Sequence, residues 1–130
     1  MLDVQVLLDT NALMIPEQFG VDIFSELERL GYREFLVPSP VVDELKALAA
    51  SADKKRDRVA ANVGLMLTRR CKIVEINGDA DSVLEKLALE KNAAVLTGDR
   101  LLKKRLSMKG TTVIHLRQRQ YLDIWMQKEF

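Results

Sequence analysis

Short apolar runs and longer stretches of helical spacing take turns along the chain. "VQVLLD" (Val4–Asp9) is an apolar run that stops at a polar turn, the pattern of a strand buried on both faces. From about Pro16 to Leu30 the apolar residues Val21, Ile23, Phe24, Leu27 and Leu30 fall near helical spacing, and Gly31 supplies a stop. "REFLVP" predicts a second strand closed by Pro38. Ser39 then predicts a helix cap with Pro40 at the first position and "VVDELKALAA" behind it. Asp53–Arg70 predicts another amphipathic helix and "KIVEI" a third strand. Asp79 or Asp81 opens the next helix, which contains "SVLEKLALEK". "AAVLTGD" is a fourth strand, "RLLKKRLSMKG" a helix and "TTVIHL" a fifth strand, and the tail "RQRQYLDIWMQKEF" reads as a short helix. Strands that alternate with helices predict an α/β fold, a parallel sheet with helices on both faces.

Length and composition narrow the setting. The 130 residues, 48% hydrophobic and 30% charged, suit a single soluble domain spanning 1–130. No apolar run approaches the roughly 20 residues that cross a bilayer, so no membrane partner is expected. The start "MLDVQVLLD" carries two acids and lacks the basic region of a signal peptide. A single cysteine, Cys71, cannot form an internal disulfide, which fits the reducing cytoplasm. Charge is unevenly spread: residues 1–52 hold nine acids and three bases, a net −6, and residues 53–130 hold seventeen bases and ten acids, a net +7.

This asymmetry gives the acids a context. Asp9 ends the first strand in "LLDTNAL" and Asp99 ends the fourth in "LTGD". Glu44 lies one turn into the helix after the second strand, and Asp81 opens the helix after the third. In an open parallel sheet, ligands lie beyond the carboxyl ends of the strands where the strand order reverses. Carboxylates gathered there repel one another unless a cation neutralises them. Oxygen-only ligands suit Mg²⁺ or Mn²⁺, ions that activate water against a phosphodiester. Taken singly, Asp9 is also a turn residue, Asp81 and Asp99 are also caps, and Glu44 is also a solvated helix residue. Asn11 and Thr97 stand where they can support a carboxylate through a hydrogen bond.

Arg100, Lys103, Lys104, Arg105 and Lys109 load the helix after Asp99, and Arg117 and Arg119 follow the fifth strand. These cations suit phosphate contact, or else form a solvated face. Phosphate-binding glycine loops are absent, and one Cys with one His cannot build a zinc site. His115, inside an apolar strand, reads as structural. Cys71 has basic neighbours that can lower its pKa but no His nearby in sequence. The seven aromatics are too scattered for a stacking platform, and Trp125 and Phe130 read as docking the tail.

Together "LLDTNALM", "PSPVVDELKAL", "DADSVLEKLALEKNAAVLTGDRLLKKRL" and "TTVIHLRQRQYL" resemble the PIN-domain ribonuclease family along almost the whole chain. The ending "GDRLLKKRLSMKGTTVIHLRQRQYL" looks closest to the ribosomal RNA processing branch and its archaeal relatives. The resemblance implies a three-layer sandwich around a five-stranded parallel sheet in order 3-2-1-4-5. It implies a Mg²⁺- or Mn²⁺-dependent endoribonuclease in which Asp9, Glu44, Asp81 and Asp99 are both catalytic and metal-binding. Asn11 and Thr97 take support positions, and Arg100, Lys103, Lys104, Arg105, Arg117 and Arg119 contact RNA. Ser82 follows Asp81 where some members carry another acid, which leaves the second metal and the part of Asp79 open. The implied substrate is a ribosomal RNA precursor. Implied protein partners are a second copy, an antitoxin or a ribosome-assembly protein. A VapC-type toxin and an RNA-binding PIN module that does not cut are the alternatives.

Overall fold

Val6, Leu7 and Leu8 are fully buried, because β1 (Gln5–Leu8) lies in the middle of the sheet and is covered on both faces. The structure, a computed structural model, describes residues 4–126. Behind β1 come α1 (Thr10–Phe19), α2 (Ile23–Arg29), β2 (Glu34–Pro38), α3 (Ser39–Ser51) and α4 (Lys55–Leu67). A 3₁₀ turn over Thr68–Arg70 leads to β3 (Lys72–Val74), α5 (Ala80–Lys91), β4 (Ala94–Leu96) and α6 (Arg100–Met108). The described chain closes with β5 (Val113–Arg117) and β6 (Tyr121–Ile124).

The strand order is β3-β2-β1-β4-β5-β6, parallel except for the antiparallel pair β5–β6. The expected order 3-2-1-4-5 is present, and a sixth strand extends it. Alternation along β1 decides the two cores. Val6 and Leu8 face a cluster with Leu13, Phe24, Leu27, Val41 and Leu45 from the helices α1 to α3. Leu7 faces the opposite cluster with Leu84, Leu87, Leu102 and Leu106 from α5 and α6. Helices therefore cover both faces, as a parallel sheet requires.

Four local expectations need correction. The helix expected over Pro16–Leu30 is two helices. Gly20 ends α1 in the left-handed region at φ 67°, with its N–H on the Pro16 carbonyl, and Asp22 then caps α2 by accepting from the N–H groups of Phe24 and Ser25. Ser39 does not cap α3. The helix starts at Ser39, and its Oγ accepts the Ile76 N–H and donates to the Ile76 carbonyl, both at 3.0 Å, tying α3 to the segment after β3. The third strand stops at Val74, short of Ile76. The tail is a strand, with Trp125 packed against the α5–α6 core; Phe130 lies outside the described residues.

Side chains from α2 explain the tail. On β6, Leu122 donates its N–H to Glu26 Oε1 at 3.0 Å and accepts from Arg29 Nη2 at 2.6 Å. Both backbone groups of Leu122 are thus satisfied by α2, which also protects the sheet edge. Gln118 and Arg119 make the β5–β6 turn at φ 53° and 58°, closed by the Gln120 N–H on the Arg117 carbonyl. Two successive positive φ values mark a type I′ hairpin turn, built here without the usual glycine.

The crossing of α1, α3 and α4 is tight. A Cβ on Gly64 would stand 2.9 Å from the Leu13 carbonyl oxygen and 3.2 Å from Leu45 Cδ2. The nearest atom is backbone and cannot swing away, so Gly64→Ala should lower stability by about 1–3 kcal/mol. Gly98→Ala, where a Cβ meets nothing within 4 Å, should melt near wild type. Thermal denaturation of both variants checks the contrast, and equal melting temperatures would contradict it.

Candidate active site

The sheet reverses its order at β1. The chain steps from β1 to β2 on one side and later returns to β4 on the other, with Leu8 paired to Leu96. The carboxyl ends of β1 and β4 are therefore neighbours, and Asp9 and Asp99 follow them. A cavity of about 220 Å³ opens there, lined by Asp9, Thr10, Asn11, Glu44, Asp81 and Asp99 with Leu48, Ala80 and Leu84. The four acids singled out in the sequence share this cavity, and Asn11 lines it with them.

Asp9 is the most enclosed of the four, only 6% exposed. It is the N-cap of α1, with Oδ1 accepting the Ala12 N–H at 2.7 Å. The Thr97 hydroxyl accepts the Asp99 N–H at 3.1 Å and lowers the pKa of the neighbouring Asp9 carboxyl. Thr97 is 1% exposed, so this hydroxyl is enclosed between the ends of β1 and β4. Burial pushes the Asp9 carboxyl up to about 6; the bonds from Thr97 and Ala12 oppose the rise, and the charges of Asp81 and Asp99 add to it.

The other acids sit at helix starts or one turn in. Asp99 caps α6 by accepting the Leu102 N–H at 3.0 Å, so it closes a helix and lines the cavity at once. Asp79, not Asp81, caps α5, through the Ser82 N–H, and it is outside the cavity lining. The Ser82 bonds hold the Asp79 carboxyl below the usual range. Asp81 is raised by partial burial and then by Asp99, while Arg105 opposes the rise. Glu44 accepts a hydrogen bond from the Thr10 hydroxyl. Thr10, between Asp9 and Asn11 in "DTN", is buried and is a site residue that the sequence pattern does not single out. Among the described residues no three His, Cys, Asp or Glu side chains converge tightly enough to hold a metal ion as they stand.

The basic residues divide. Arg100 directly follows Asp99, and Lys103 lies over the Trp125 ring at 5.4 Å with its ammonium pKa lowered by partial burial and by Arg100. Lys104 is exposed. Arg105 turns to Glu85 and Asp81, and Lys109 to Glu85. Arg117 pairs with Asp123 at 3.0 Å. Arg119 lines a separate cavity of about 740 Å³ with Phe19, Lys55 and Arg56. His115 is half-buried with its pKa lowered, in keeping with a structural role. Cys71 goes against the activation its basic neighbours suggested: burial pushes the thiol up to about 11.

A family described as "PIN like domain" matches residues 6–119. The chain is 29% identical to ribonuclease VapC9 of Archaeoglobus fulgidus over 85% of its length and 81% of that protein's. It is 30% identical to ribonuclease VapC4 of Methanocaldococcus jannaschii over 90% of its length and 93% of that protein's. Its fold is similar to that of the PIN domain endonuclease Utp24, with a TM-score of 0.74 at 20% identity, covering 92% of this chain and 90% of that one. It is also similar to VapBC2 from Rickettsia felis, solved bound to a DNA fragment from their promoter, with a TM-score of 0.58 at 16% identity over 85% and 98% of the two chains. Among the described residues no helix is long and apolar enough to cross a membrane.

The raised pKa of Asp9 has a consequence for stability. Unfolded, the carboxyl titrates near 3.8; folded, near 6. Its neutral form costs the fold nothing below pH 3.8, and stability is lost as pH rises through about 6. A shift of this size corresponds to at most about 3 kcal/mol. Asp9→Asn keeps an oxygen for the Ala12 N–H and removes the charge. It should raise the melting temperature at pH 8 in the absence of divalent ions and leave it nearly unchanged at pH 4. A lower melting temperature at pH 8 would show that the ionised carboxylate stabilises the fold.

Proposed function

Because the chain belongs to the PIN-domain ribonuclease family, we propose that it is a divalent-metal-dependent endoribonuclease, a hydrolase of RNA phosphodiesters. One observation carries the metal reading: four carboxylates from separate strand–helix units line one cavity, with no cation of their own at Asp9. The donor set is all oxygen and suits Mg²⁺ or Mn²⁺. Asp9, Glu44, Asp81 and Asp99 are the residues that would hold the ion. Mutual repulsion among these acids would be offset by a bound cation. When bound, the ion supplies Lewis-acid polarisation of the scissile phosphate and activates water for in-line attack.

The chain's own residues do the rest. Thr97 fixes Asp9 relative to Asp99, and Thr10 fixes Glu44. Both hydroxyls set the direction of a carboxylate before any ligand arrives. Asn11 faces the same cavity and can donate to a substrate oxygen. Arg100, Lys103 and Lys104 extend positive charge from Asp99 along α6, where an RNA backbone can follow it. Arg117 and Arg119 are further from this line of contact, the first paired and the second in its own cavity.

For the biological role we favour ribosomal RNA processing, on the likeness of the basic α6 and the β5–β6 tail to that branch. The sequence likeness to VapC9 and VapC4 supports a second reading, a toxin ribonuclease controlled by an antitoxin. A labelled small-subunit ribosomal RNA precursor separates them. A processing enzyme cuts it at discrete positions, and its expression does not arrest growth. A toxin arrests growth on expression and is rescued by a co-expressed antitoxin.

Wild type with Mn²⁺ should cleave RNA, and EDTA should abolish cleavage. Asp9→Asn or Asp99→Asn should reduce it by at least about 100-fold with the fold intact. At sub-saturating Mn²⁺, cleavage should fall as pH drops toward and below about 6, where protons compete with the ion for Asp9. Cleavage that persists in EDTA, or in Asp9→Asn, would exclude the metal reading. Lys103→Ala with Lys104→Ala should weaken RNA binding and reduce the salt slope by about 1–2. An unchanged slope, read by fluorescence anisotropy across a salt series, would remove α6 from the RNA path.

A further inference from the structure

Arg105 stands in the basic helix where a phosphate contact was expected, yet its guanidinium is committed elsewhere. Nε donates to Glu85 Oε1 at 3.1 Å, and Nη2 lies 3.6 Å from Asp81 Oδ2. Lys109, one turn further, reaches the same Glu85 oxygen at 3.7 Å. Asp81 and Glu85 are one turn apart on α5, and Arg105 on α6 is one turn before Lys109 at that helix's C-cap, so two acids face two bases across the helix pair. Glu85 is the best enclosed of the four, its side chain 14% exposed against 44% for Arg105 and 51% for Asp81. It is the anchor. A guanidinium held through Nε has its plane set, and its terminal nitrogen is directed at the second carboxylate.

This arrangement distinguishes Asp81 from the other acids in the cavity. Asp9, Glu44 and Asp99 are held by hydroxyl or backbone donors, which orient a carboxylate without cancelling its charge. Of the four, Asp81 alone has a basic side chain within ion-pair distance, Arg105 at 3.6 Å. We propose that Arg105, held by Glu85, is the resident counter-ion of Asp81, and that a divalent ion must compete with it to use Asp81 as a ligand. This rests on the metal reading above. Arg105 is then a positioning residue that acts through Asp81. The open part of the cavity toward an ion is Asp9, Glu44 and Asp99, and Asp81 is the contested ligand. The absence of a further acid at Ser82 agrees with this division, because a second ion there would have only Asp81 to displace Arg105 from.

Mn²⁺ titrated into the full chain by calorimetry tests the competition without any turnover. Arg105→Met removes one positive charge beside the cavity and should tighten Mn²⁺ binding about tenfold or add a second ion. Arg105→Lys keeps the charge and should bind as wild type does. Glu85→Gln frees the guanidinium and should fall between them. The gain should vanish in Arg105→Met combined with Asp81→Asn, since nothing is left to contest. Circular dichroism melts confirm that each variant is folded. Arg105→Met binding Mn²⁺ as wild type does, or more weakly, overturns the inference and leaves the metal reading standing if Asp9→Asn still abolishes binding. No Mn²⁺ binding by any folded variant overturns the metal reading, and this inference with it.

Discussion

Everything at the site depends on keeping like charges together at one end of a parallel sheet. β1 and β4 must be neighbours for Asp9 and Asp99 to meet, and that adjacency comes from the reversal of strand order. The cost appears in Asp9, whose carboxyl is buried beside two other acids and is raised to about 6. Thr97 limits that cost. Its buried hydroxyl accepts the Asp99 N–H and stands beside Asp9, whose pKa it lowers, so one side chain serves both strand ends where electrostatics alone would push them apart. Fully enclosed side chains of β1 and β4 beneath the site give this arrangement a rigid base.

The acids at the site also serve as ordinary structure. Asp9 and Asp99 are N-caps, each satisfying a helix N–H that would otherwise lack a partner. The positive end of each helix also partly offsets the carboxylate that caps it. The same placement answers two demands, which is why a cap and a ligand cannot be told apart from one position in a sequence. Asp79 shows the converse. It caps α5 as Asp9 caps α1, but it is not among the residues that line the cavity, and Asp81, two residues on, lines it instead.

Much of this was legible in the residue pattern because it depends on local order. The apolar runs that became β1, β2 and β4 end in the turns that carry Asp9 and Asp99, and the four acids expected to meet share one cavity. What escaped depends on contacts distant in sequence. β6 reads like a helix tail because "YLDIW" has no clean alternation and its turn lacks glycine. It is a strand because it pairs antiparallel with β5, while Glu26 and Arg29 satisfy the backbone groups of Leu122. Ser39 reads as a cap and is instead a link to Ile76. Thr10 does not stand out in the pattern because its partner, Glu44, lies on another helix. The family resemblance supplied the strand order that periodicity alone could not.

The charge asymmetry of the chain takes on a different meaning once the pairs are known. The basic second part carries a net +7, which suggests a broad surface for polyanions. Several of its seventeen bases are held by acids of the same part and are not free to meet a polyanion: Arg105 and Lys109 on Glu85, Arg105 also on Asp81, and Arg117 on Asp123. What is left next to the cavity is the start of α6, with Arg100, Lys103 and Lys104. That is a narrow positive strip beside a strongly negative hole. A polyanion resting on the strip is drawn toward the hole only if a cation already fills it, since bare carboxylates repel phosphate. On the proposed metal reading, the two halves of the charge pattern become useful to each other only through an ion between them. Bare carboxylates would repel the polyanion that the bases attract.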